Sequence, residues 1–274
     1  RYGSHVGAGF LKGKMELARN RLERALDHFD SVARAKPKYA PAHYYKGLAL
    51  LRLDRRKEAR ESLRRAVELD SDQLHARLLL ADGYIQDYQQ GNATLAGKHI
   101  EYILQRFPAH RETLTLMGNL GIRTRNYASA EEAFQQVVRR YPDDPRAHFR
   151  LGFAQYLQDQ KQEALAQFKE ALALDATQTR ALTLSVNILL QQGRAPEALA
   201  LCDRLIPRLS NKDSLALLQV AKARIHLQQG NDDQAESLVL QAIQNNPEQL
   251  PAHVLLTRIY LRKKKLQERS EERR

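Results

Sequence analysis

Apolar residues return every three or four positions through almost the whole chain, with polar residues filling the intervals. That period is the one an α-helix with a single buried face produces. It is clearest in residues 145–176, PRAHFRLGFAQYLQDQKQEALAQFKEALALDA. This stretch predicts one helix from about Arg146 to Leu157 and a second from about Gln162 to Leu174. Gly152 falls on the first and Ala164 on the second. Small residues belong where two helices cross closely, because a large side chain at the contact would force them apart.

The same offsets recur along the chain. Gly152 is matched by Gly13, Gly47, Ala81, Gly118, Val186, Ala223 and Thr257, at intervals of about 34 residues with two of about 37. Ala164 is matched by alanine each time, at Ala25, Ala59, Ala96, Ala130, Ala198 and Ala235. Phe168 is matched by Phe29, Leu63, Ile100, Phe134, Cys202 and Val239, all apolar. Pro37, Pro108, Pro142 and Pro247 close four copies, as a residue that cannot continue a helix should. The expected organisation is a helix-pair array over 6–262, with seven pairs and a terminal helix from Leu250 to Arg262. Residues 1–5, which begin without methionine, are read as an extension or tag remnant, and 263–274 as a charged tail. The glycines of the first copy predict a short or frayed opening helix. The two longer intervals place an extended turn at 86–94 and a break between repeats at 206–214.

The small residue of the first helix, the alanine of the second and the closing proline together resemble the tetratricopeptide repeat family, from about Val6 to Arg262. The resemblance implies an all-α fold, a right-handed α-α superhelical solenoid of helix pairs. The family favours a large aromatic early in the first helix, whereas His43, His148, His253, Leu114 and Leu182 stand there in this chain.

The family's first helices line a concave groove, so the resemblance also nominates groove residues by register. These are Tyr44, Leu48, Asn119, Arg123, Phe149, Arg150, Phe153, Tyr156, Asn187, Arg224 and Arg258, with Phe10, Asp82, Gln191, Gln228 and Arg262 beside them. Aromatics mixed with arginines suit a peptide or helix that buries apolar anchors and carries acids. Filling space between neighbouring first helices is the other reading of the aromatics. The lysine and asparagine clamp that some family members use for a C-terminal carboxylate is not matched. Phe10, Lys14, Tyr44 and Leu48 occupy its positions.

Charge and chemistry narrow the function. The formal net charge of +12 steers acidic partners, anionic surfaces or nucleic acid toward the chain. No apolar run approaches the roughly 18 residues a membrane-crossing helix needs. Cys202 is the single cysteine, so no internal disulfide forms, and its place in the Phe168 register marks it as apolar filler. No glycine-rich phosphate loop, zinc-spaced histidine pair or GxSxG nucleophile motif occurs, so no catalytic residue, metal or cofactor is expected. His43, His148 and His253 lie a repeat or more apart and are expected to pack half-buried at helix starts.

The expectation is a non-catalytic scaffold that binds a peptide or protein segment in its groove, within a bacterial multiprotein, envelope or secretion assembly. Cytoplasm and periplasm both fit. An RNA-binding helical repeat and a self-assembling homo-oligomer are the alternatives. Against RNA, the aromatics cluster rather than recur, and Asp82 and Glu112 interrupt the face.

Overall fold

The computed structural model describes the backbone of residues 2–87, 89 and 91–271, with side chains for 6–87, 89 and 91–266. The described residues form fifteen α-helices and one 3-10 turn. In chain order these are α1 (Tyr2–Ala18), α2 (Leu22–Ala35), α3 (Ala40–Arg52), α4 (Arg56–Leu69), α5 (Leu74–Gln86), α6 (Asn92–Arg106), α7 (Arg111–Arg123) and α8 (Tyr127–Arg140). There follow α9 (Pro145–Leu157), α10 (Lys161–Leu174), α11 (Thr179–Gln191), α12 (Ala195–Leu205), α13 (Lys212–Gln228), α14 (Asp232–Asn245) and α15 (Leu250–Glu271). The described residues make an all-α fold of helix pairs. The helices gather into two compact units, Arg1–Gln136 and Val137–Arg274.

Register explains each pair. The alanine of every second helix is wholly buried: Ala25, Ala59, Ala96, Ala130, Ala164, Ala198 and Ala235. The apolar residue four places on is buried too, from Phe29 through Phe168 to Cys202 and Val239. Burying one such side chain contributes about 1.5–3 kcal/mol relative to leaving it in water. In the first unit one core gathers Leu17, Leu26, Phe29 and Leu50, and another Leu63, Leu80, Ile85 and Ile100. In the second unit Leu165, Phe168, Leu189, Cys202 and Ile225 share one core, and Val220, Val239, Leu255 and Ile259 another.

The turn inside the pair is also repeated in six of them. Asn20, Asp54, Arg125, Asp159, Gly193 and Gly230, each seven residues past the small position, all have positive φ, between 57° and 84°. Asparagine, aspartate and glycine tolerate this left-handed conformation, which reverses the chain with few residues. Arg125 adopts it at φ 60° without that advantage.

Three expectations change. Gly7, Gly9 and Gly13 do not shorten the opening helix, because α1 runs for 17 residues and begins inside the presumed extension. At the other end, α15 does not stop near Arg262 but continues through the charged segment to Glu271. The part of that segment over 272–274 lies outside the described residues, as do Tyr88 and Gln90 of the long third turn. The break at 206–214 becomes a 3-10 turn, Ile206–Arg208, followed by α13, which is four residues longer than α11. Asn211 caps α13 by accepting from the Ser214 N–H at 2.6 Å, and Arg208 donates to the Leu172 and Ala173 carbonyls at the end of α10. Packing continues across the break, since Leu218, Ala221 and Ile225 join the core of α11 and α12.

Candidate peptide-binding face

The nominated residues fall on first helices of both units, and none of them is fully buried. In the first unit, Tyr44 and Leu48 lie on α3, and Asn119 and Arg123 on α7. Tyr44 packs edge-on against Tyr45, with ring centres 5.1 Å apart. Burial, with Tyr45 beside it, raises the Tyr44 phenol above its ordinary pKa. Leu48 packs on the core of α1–α4. Arg123 is committed elsewhere: its Nε and Nη2 donate to the Ile85 and Gln86 carbonyls at 3.2 and 3.1 Å. These are C-terminal carbonyls of α5, which a helix leaves unsatisfied. Arg52 serves the Leu17 carbonyl of α1 from the same register. In the second unit Arg262 serves the Leu227 carbonyl of α13 likewise.

In the second unit the aromatics cluster on α9. Phe149 and Phe153 stack nearly parallel, 6.1 Å between centres and 15° between planes. Phe149 also meets Phe168 of the paired helix at 5.8 Å. Phe149, Phe153 and Tyr156 all pack, half-buried, on the core of this unit. Phe149 therefore serves packing and, like Phe153, leaves part of its ring outside. Arg150 is half-buried and already engaged. Arg224 of α13 donates to the Asn187 side-chain oxygen of α11 at 3.0 Å. Phe153, Asn187, Arg224 and Arg258 hold one register position, just past the small residue, on α9, α11, α13 and α15. They form a row that offers a ring, an amide and two guanidinium groups, with Arg224 and Arg258 exposed. Such a row can seat an apolar anchor and bind carboxylates beyond it.

Sequence reasoning overlooked three devices. Nε2 of His43, His148 and His253 lies 2.9, 2.7 and 2.7 Å from the carbonyl oxygen of Pro37, Pro142 and Pro247, each six residues earlier. A carbonyl only accepts, so Nε2 carries the proton in all three. The spacing P-x5-H was the available signal. The second device, in the first unit, is Tyr102, held between the guanidinium groups of Arg77 at 3.4 Å and Arg106 at 3.8 Å. Its hydroxyl donates to Asp72 at 2.7 Å, beside a hollow of about 250 Å³. The third is a cavity of about 560 Å³ between α6 and α7, floored by Ile100, Leu104, Met117 and Leu120. Gly97 lines it, at a register position held by Leu26, Leu165 and Leu199 in three other copies and by Arg60, Glu131 and Glu236 in the rest.

Cys202 is buried, and that burial pushes its thiol up to about 12. Among the described residues no group of three or more His, Cys, Asp or Glu is arranged to hold a metal, and no helix is long and apolar enough to cross a membrane.

Comparison with known proteins agrees with the helix-pair register. Cellulose synthase operon protein C of Xanthomonas axonopodis pv. citri is 30% identical over 260 residues, 93% of this chain. The chain spans only 15% of that relative's length. A tetratricopeptide repeat protein of Parabacteroides merdae superposes with a TM-score of 0.64 at 17% identity, covering 94% of this chain and 99% of that one. The C-terminal part of a repeat-containing protein from Cytophaga hutchinsonii gives 0.66 at 15% identity, covering 90% and 99%. Models of the tetratricopeptide repeat match residues 10–73, 44–111 and 115–179, and a further one matches 180–204. With its small, alanine and apolar positions buried in the pattern those repeats require, this chain belongs to the tetratricopeptide repeat family.

Proposed function

We propose that the chain is a non-catalytic scaffold that holds a protein segment against its first helices. The observation that carries this reading is the α9 face. Phe149 and Phe153 keep ring surface outside the core, and Asn187, Arg224 and Arg258 continue the row on the following first helices. Tyr44, Leu48 and Asn119 offer a smaller apolar and amide surface in the first unit. The segment that fits is extended or helical, with an aromatic or aliphatic anchor near Phe153 and acidic residues beyond it. The net charge of +12 favours approach of such an acidic partner. The relative named for a cellulose synthase operon supports placing the chain in a bacterial multiprotein assembly of that kind.

The test is a crosslinking pull-down from source-cell extract at physiological salt, with the wild type beside a Tyr44→Ala/Phe149→Ala/Phe153→Ala variant. A protein retained by the wild type alone supports the reading, and its sequence names the partner. Retention by both forms overturns it. Nucleic acid recovered equally by both assigns the charge to a non-groove surface instead, and its loss on raising salt marks that binding as nonspecific.

A further inference from the structure

Helix α5 carries a glycine that packing does not explain. A β-carbon added to Gly83 would meet nothing within 4 Å, whereas Gly13, Gly47 and Gly152 each stand against a side chain of the paired helix. Gly83 lies within α5, three residues before its last, where glycine costs helix stability that alanine would not. No other first helix has glycine at this register position. It reads Met15, Ala49, Leu120, Ala154, Ile188, Ile225 and Ile259 in turn. What Gly83 lines instead is a hollow of about 450 Å³ between α3, α4 and α5, all in the first unit.

The hollow has an apolar part and one charged group in need of a partner. Leu51 of α3 and Leu79 and Leu80 of α5 supply the apolar wall. Asp82 stands beside Gly83 in the lining and is half-buried. The Gln86 amide donates to its Oδ2 at 2.6 Å, and among the described residues no cation pairs with it. Arg56 is turned to Asp54 at 2.7 Å and Arg60 to Asp87 at 2.5 Å. Burial raises the Asp82 carboxyl above its ordinary pKa, as it does for a carboxylate drawn out of water without a counter-charge.

Charge selects the occupant. A carboxylate entering the hollow would meet Asp54, Asp82 and Asp87 together. An uncharged apolar side chain would take Asp82 further out of water and offer it nothing in return. A lysine or arginine side chain suits both parts, because its aliphatic stem can lie on the leucines while its cation reaches the carboxylate. Lys57 also borders the hollow, but it is exposed, and water screens its charge.

We propose that this hollow is a specificity pocket for one lysine or arginine side chain of the bound protein segment, anchored by Asp82 and given room by Gly83. The proposal deepens the scaffold reading and rests on it, since Asp82 holds the register of Leu48 and Asn119 on the first helices to either side. A net charge of +12 steers basic residues away. Selection of one at this place therefore reports local recognition rather than general attraction.

The probe is a phage-displayed library of random twelve-residue peptides, panned on the whole chain at physiological salt. The enriched peptides are expected to share a lysine or arginine at one fixed place. The consensus peptide, made with fluorescein, is then titrated by fluorescence anisotropy. Asp82→Asn and Gly83→Leu each weaken it about tenfold or more, as does norleucine in place of the basic residue, while Lys57→Ala does not. Neither Asp82→Asn nor Gly83→Leu lowers the unfolding midpoint, since nothing packs at Gly83 and no cation depends on Asp82. Enriched peptides without a shared basic residue overturn the pocket. If the Tyr44→Ala/Phe149→Ala/Phe153→Ala chain loses those peptides, the scaffold reading stands without it. Undiminished binding by Asp82→Asn also overturns the pocket, and so does loss on Lys57→Ala, which would make the occupant an anion. A library that yields no binder overturns the pocket and the scaffold reading together.

Discussion

Gly152 lies so close to Phe168 that a β-carbon on the glycine would stand 2.9 Å from two ring carbons and 3.0 Å from the Ala164 carbonyl oxygen. The relationship recurs with shared volume. Gly13 faces Phe29 and Gly47 faces Leu63 at 2.6 and 2.7 Å by the same measure. Where the first helix instead carries Ala81, Val186 or Ala223, the second carries Ile100, Cys202 or Val239. Neither residue is fixed alone; the sum of the two fits the gap between helices. Gly152→Ala is therefore expected to destabilise the protein by about 1–3 kcal/mol through overpacking. Phe168→Leu in that background should restore part of the loss, although alone it opens a cavity. A double-mutant cycle by urea unfolding reads the coupling, and strictly additive losses would contradict the shared-volume account.

How much of this was legible depends on where the constraint resides. Gly152, Ala164 and Phe168 contact one another within a helix pair, so their types repeat and the pairs can be read from spacing alone. The frayed α1 was misjudged because glycine's helix cost was weighed without the Phe29 ring, which needs Gly13 bare. The groove was less legible. Position on a first helix marks a residue as outward but does not say whether main-chain carbonyls will claim it, as they claim Arg123. Phe149 is ambiguous for a similar reason, because its ring serves Phe168 and Phe153 together.

His148 ties the start of α9 back to the loop before it. Nε2–H donates to the Pro142 carbonyl at 2.7 Å, and the Gln167 amide lies 2.8 Å from Nδ1. His148 is buried, so removing it leaves that carbonyl without its partner. His148→Ala is expected to cost about 1–3 kcal/mol. His253→Ala, at an exposed copy of the same bond, should cost about 0.5–1.5 kcal/mol. Chemical denaturation of the two variants checks the order, and equal losses would deny burial its part.

His99 should make the first unit sensitive to acid. Burial, with the Arg77 guanidinium 3.3 Å from Nδ1, lowers its pKa from 6.5 to about 4. The ring also stacks on Tyr84, with centres 6.0 Å apart. The fold thus favours the neutral imidazole. A depressed histidine pKa contributes stability that is complete above about 6.5 and is lost as pH falls toward about 4. His99→Gln removes this titration, so the gap in stability between wild type and variant should shift over that window and not above it. Unfolding midpoints at several pH values decide this, and parallel profiles would exclude the histidine as the cause.

Arg123 and Arg224 are expected to separate a structural from a binding role. Its fork spans the Ile85 and Gln86 carbonyls at the end of α5, where the helix dipole is negative and carbonyls are otherwise unpaired. Arg123→Ala is expected to lower stability by about 1–2 kcal/mol and to leave partner affinity unchanged. Arg123→Lys should recover only part, because an ammonium cannot reproduce the planar fork. Arg224 contrasts with it, being exposed and bound to the Asn187 side chain rather than to a helix end. Arg224→Ala should change stability by no more than about 0.5 kcal/mol yet weaken an acidic partner. The two variants are compared by unfolding midpoint and by retention of the partner. If Arg123→Ala lost the partner at an unchanged midpoint, its carbonyl bonds would be incidental and its place would be with Arg224 in the binding row.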